Sequence, residues 1–87
     1  MTLYRIYTED ANREAVQSLA SNRFDAYTLI PSRGSWKGTT EPSLILEVVG
    51  NDDDSYLAVH ALATDIKALN HQDAVLITRT PITQELI

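Results

Sequence analysis

Apolar and polar residues alternate from the first positions of the chain. Over residues 2–8, Leu3, Arg5 and Tyr7 interleave with Tyr4, Ile6 and Thr8, and aromatic and β-branched types dominate, so the spacing predicts a strand. Large apolar groups fall on both of its sides, which implies cover on both faces. The period then lengthens. Ala15, Val16, Leu19 and Ala20 recur at helical spacing with Phe24 closing the end, while Arg13, Glu14, Gln17 and Ser18 are left for water. Asp10 or Thr8 can cap this helix, and Glu14 suits its first turn.

The stretch from Asp25 to Gly50 organises the rest. Tyr27 and Leu29 alternate with Thr28 and Ile30, predicting a strand, and Pro31 places that strand at an edge or at a bulge because it cannot donate to a ladder. Gly34 and Gly38 bracket Ser35-Trp36-Lys37, and both read as positive-φ positions of a bent turn. Pro42 opens the next strand. Its residues 43–49, SLILEVV, are nearly all apolar, as expected of a central strand, and Glu47 reads as a carboxylate at an exposed rim.

Gly50 followed by Asn51-Asp52-Asp53-Asp54 breaks the pattern and leads into a second helix over 53–69, whose stripe is Tyr56, Val59, Leu62, Ala63, Ile66 and Leu69. Asn70 suits the C′ position, where a left-handed residue ends a helix. Residues 74–78 form the last strand, extended by Arg79 and Thr80 and stopped by Pro81, and Leu86 and Ile87 end an apolar tail. The order β-α-β-β-α-β, with right-handed crossovers, gives a four-stranded antiparallel sheet with both helices on one face: a single ferredoxin-like α+β domain over residues 1–87. One apolar strand is then central and the other lies at an edge. Pairing edges and covering the bare face in a dimer or trimer removes that hazard.

Charge and composition narrow the function. Twelve acidic against seven basic residues give a net charge of −5, which excludes a broad basic face for duplex nucleic acid. There is no Cys, so disulfides and thiolate metal sites are excluded. No apolar run is long enough for a membrane span and no signal peptide is read, so a soluble, cytoplasmic protein is expected. No nucleophile motif is present, and no catalytic role or cofactor is expected. A metal would rest on His71, helped by His60 and Asp52–Asp54. The distinctive set is Arg33, Gly34, Ser35, Trp36, Lys37 and Gly38. Two cations, glycine-bend amides and an indole suit a small anion or a mononucleotide. The same surface can instead pack on a neighbouring subunit or a protein partner.

The run Ile30-Pro31-Ser32-Arg33-Gly34-Ser35-Trp36-Lys37-Gly38, followed by Glu41 and Leu44-Ile45-Leu46, resembles the hairpin of the CutA-type divalent-cation tolerance proteins. The likeness extends back to Asn12-Arg13-Glu14-Ala15 and forward to His71 and Thr80-Pro81-Ile82. The hairpin is shorter here, Gln72-Asp73 follow the histidine in place of the family's Pro-Tyr-Glu, and the family's N-terminal cysteine is absent. The chain therefore resembles a short relative of the broad PII/CutA-like superfamily, and its Trp-Lys-Gly hairpin is similar to that of small phage-encoded proteins. The resemblance implies a trimer with ligands at clefts between subunits near the hairpin. The expectation is a non-enzymatic binding or regulatory module. Its alternatives are a divalent-metal-binding tolerance protein and a small inhibitor or adaptor docking on a larger protein.

Overall fold

The computed structural model describes residues 1–87, the side chains of Asp52 and Asp53 excepted. Its elements are β1 (Thr2–Glu9), α1 (Arg13–Ser21), β2 (Thr28–Trp36), β3 (Thr39–Gly50), α2 (Asp52–Leu69) and β4 (Leu76–Pro81). The strands form one antiparallel sheet in the order β2-β3-β1-β4, the ferredoxin-like arrangement, so β3 is central and β4 is an edge. Pro31 lies on the other edge strand, β2, where its missing N–H is harmless.

Strand alternation commits every second residue to the helices. Thr2, Tyr4, Ile6 and Thr8 of β1 and Leu44, Leu46 and Val48 of β3 are buried beneath them, meeting Val16 and Ala20 of α1 and Val59, Leu62, Ala63 and Ile66 of α2. The α2 stripe is therefore the one that its spacing predicts. The α1 stripe is narrower, because Ala15 is exposed. Arg79 at the β4 edge lays its guanidinium over the Tyr56 ring, 4.7 Å from the centroid.

The opposite face carries no helix. The register aligns Leu76, Tyr7, Ile45 and Ile30 in one row across all four strands, with Leu3 and Val49 four residues further along. Between these apolar rows Arg5 stands directly opposite Glu47, and its Nε donates to Oε2 at 2.7 Å. That hydrogen bond raises the guanidinium pKa above its ordinary value. Glu47 is thus a paired group in the middle of the open face, not a rim carboxylate.

Four local details depart from the sequence reading. The hairpin turns at Lys37-Gly38, with φ of 50° and 80° between the paired Trp36 and Thr39, the geometry of a two-residue type I′ turn. Gly34 does not bend the chain; it lies within β2 opposite Glu41, and Pro42 lies within β3 opposite Arg33. Neither Asp10 nor Thr8 caps α1. Asp10 ion-pairs with Arg13, which lowers its pKa, and Thr8 is buried. Finally, α2 ends on His71 at C′ (φ 52°), not on Asn70: Gln72 N–H reaches Lys67 O at 3.1 Å and His71 N–H reaches Ala68 O at 3.4 Å, the paired bonds of a Schellman cap.

Lys37 holds a left-handed backbone without the local side-chain bonding that makes Asn tolerate it. Lys37→Asn is expected to raise stability by about 0.5–1 kcal/mol, read as a higher midpoint in urea unfolding. An unchanged or lower midpoint would show that the turn does not hold this conformation in solution.

Candidate functional site

The β2-β3 hairpin outruns β1. The β1 ladder ends with Glu9 opposite Ser43, Asp10 N–H adds a last bond to Pro42 O at 3.1 Å, and beyond it residues 33–42 continue as a two-stranded ribbon. On the far side of the β1 end, residues 71–74 carry the chain from α2 to β4. A cavity of about 460 Å³ fills the notch between them, within the range of small-molecule sites. Tyr7, Thr8 and Glu9 form its floor. The ribbon contributes Gly34, Ser35, Trp36, Glu41 and Ser43, and residues 71–74 with Leu76 close the other side.

The notch divides the residues singled out from the sequence. Gly34, Ser35 and Trp36 line it; Arg33, Lys37 and Gly38 do not. Alternation puts Gly34 and Trp36 on the open-face side of β2 with Ile30 and turns Arg33 the other way, while Ser35 lines the notch although it shares Arg33's side of the strand. Lys37 sits in the turn with its Nζ 5.8 Å from the Trp36 ring centroid. The indole is 60% exposed, an available stacking surface. His71 lines the notch, whereas His60 lies on α2 with its ring 6.1 Å from that of Tyr56. Among the described residues no group of three or more His, Cys, Asp or Glu is placed to hold a metal, and the side chains of Asp52 and Asp53 lie outside that description.

The 71–74 wall is held by a network that sequence reasoning missed. Thr8 Oγ1 donates to Gln72 Oε1, and Glu9 N–H donates to the same oxygen at 3.4 Å. Asn70 Nδ2 donates to Thr8 Oγ1 at 3.1 Å and Glu9 O at 3.4 Å, while Asn12 Nδ2 donates to Asn70 Oδ1 at 2.8 Å. These bonds join residues about sixty positions apart, and no local pattern signals them. They fix His71 and Asp73 across the notch from Trp36. Non-glycine left-handed backbone occurs at Lys37 and His71, one at each side of this site.

No family model matches the sequence, and no curated relative matches it. The likeness is structural. Structures of a phage SAM lyase, in the apo state and in complex with S-methyl-5′-thioadenosine, superpose with TM-scores of 0.73 and 0.71 at 16% identity, over 91% of this chain and 78–79% of theirs. A DUF3240 family protein from Shewanella baltica gives a TM-score of 0.70 at 11% identity, covering 99% of this chain and 93% of that one. A nitrogen regulatory PII-like protein from Thiomonas intermedia, bound to ADP, AMP and bicarbonate, gives 0.64 at 12% identity, over 98% and 94%. The chain shares with these proteins the ferredoxin-like α+β fold.

The expectation that the chain is not an enzyme does not stand. It rests on a missing nucleophile motif, yet a lyase shares nearly the whole of this small fold. Lacking a nucleophile motif is no argument against catalysis in a fold that a lyase uses.

Gly34 is where the ribbon leaves room in the notch. A Cβ there would meet only Ser43 Oγ and Cβ, at 3.6 and 3.7 Å, which is ordinary contact. Gly34→Val is therefore expected to keep or raise the melting temperature, since a strand glycine costs about 0.5–1 kcal/mol, while its side chain fills the notch. A fall of several degrees in a circular-dichroism melt would show that the position has no such space.

Proposed function

We propose that this chain is a small oligomeric PII-like module that binds an adenosine-bearing small molecule in the notch between the hairpin ribbon and residues 71–74. The observation that carries the reading is the notch itself: a cavity of about 460 Å³ walled on one side by an exposed indole that can stack a base. Two structural neighbours support it, because the ligands bound in them, S-methyl-5′-thioadenosine in one and ADP and AMP in the other, share adenosine. The row Leu76, Tyr7, Ile45 and Ile30 runs along the uncovered face up to the notch, so copies that pair through this face also close the site. A trimer is the assembly proposed.

Ligand and assembly are tested separately. Titration calorimetry with S-methyl-5′-thioadenosine is expected to give saturable binding that Gly34→Val abolishes; binding that survives this variant places the ligand elsewhere. In sedimentation equilibrium the protein is expected to run as a trimer and Ile45→Lys to shift it toward the monomer. A 9.7 kDa species at micromolar concentration overturns the assembly.

A second reading is that the notch acts on its ligand. It is favoured by the SAM lyase neighbours together with the ionisable side chains of Tyr7, Glu9, Glu41, His71 and Asp73 around the cavity. Incubation with SAM is then expected to release an adenosine thioether, separated by chromatography. No product above the buffer rate removes this reading and leaves binding in place.

A further inference from the structure

The two neighbours whose bound ligands are known carry adenosine ligands of opposite character: phosphates in one, a thioether in the other. From this chain's own residues we infer that its notch is built for an adenosine ligand carrying a cationic sulfonium or a neutral thioether in place of phosphates. The inference rests on the adenosine reading above and deepens it.

Three carboxylates, Glu9, Glu41 and Asp73, line the cavity, and no Lys or Arg does. They arrive from three elements: the end of β1, the start of β3 and the turn after α2. They do not converge as a metal site, since no such group occurs among the described residues. Negative charge is instead spread around a partly enclosed space that also presents the Trp36 indole and the Tyr7 phenol. Carboxylates opposite aromatic faces suit an organic cation, which gains from both. A phosphate has no Lys or Arg partner in the lining, His71 being its one basic side chain, and meets carboxylates on both walls. Of the hairpin cations, Arg33 is on the opposite side of the strand, and Lys37, its Nζ 5.8 Å from the Trp36 ring centroid, does not line the cavity.

Trp36 is the only tryptophan, so its fluorescence reports occupancy directly. SAM, S-methyl-5′-thioadenosine, AMP and ADP are titrated into the protein at fixed ionic strength without divalent ions. SAM is expected to bind most tightly, the thioether next, and both phosphates at least roughly tenfold more weakly than SAM. Glu41→Gln, with Asp73→Asn as a second variant on the opposite wall, is expected to weaken SAM roughly tenfold and the uncharged thioether less than about twofold. AMP or ADP binding as tightly as SAM overturns the inference and leaves the adenosine reading standing. Equal loss of SAM and thioether in both variants also overturns it, since the carboxylates would then not be acting through charge. Absence of binding by all four removes the adenosine reading itself.

Discussion

Two helices cover one face of a four-stranded sheet, and the register of β1 against β3 decides which residues they cover. Tyr4 and Ile6 opposite Val48 and Leu46 put buried apolar side chains of both central strands beneath the helices. A one-residue slip of β1 would bury Arg5 there instead. Everything else follows from that commitment. The same alternation sends Tyr7, Ile45, Ile30 and Leu76 to the bare side, and it sends Gly34 and Trp36, but not Arg33, toward the notch.

The elements were legible because their periods are clean. The α2 stripe and the apolar run of β3 each leave one element type and one layer available, and the β-α-β-β-α-β order then permits few topologies. Reading failed where backbone conformation mattered more than pattern. Two glycines close together suggest a wide bend, yet a ladder reaching Trp36 and Thr39 leaves only Lys37-Gly38 for the turn. Lys37 and His71 take positive φ without being glycine, imposed by the hairpin on one and by the helix cap on the other. No residue-type rule predicts that.

The candidate site was half legible for a related reason. Its ribbon wall is contiguous in sequence, so Gly34, Ser35 and Trp36 were found together with neighbours that face away. Its floor and second wall come from β1 and from residues 71–74, joined by Thr8, Asn70 and Gln72 across the whole chain. The carboxylates that give the notch its charge are scattered in sequence, and only the fold assembles them. The cation pair in the hairpin stood out in sequence for the opposite reason: adjacency along a strand is not adjacency on a face.

The overhang of the hairpin has a consequence for local stability. Past Pro42 each strand of the ribbon has only the other for a neighbour, and a lone two-stranded ribbon is marginal in water. Its amides should therefore exchange with solvent far sooner than those of β1, which is paired on both sides. The Trp36 wall is in that respect the soft side of the notch and the Thr8-Gln72 wall the firm one. A molecule seated between them, as proposed, would order the ribbon as it binds, so its affinity would carry the free energy of hairpin ordering, and strengthening the turn would tighten binding without touching the ligand.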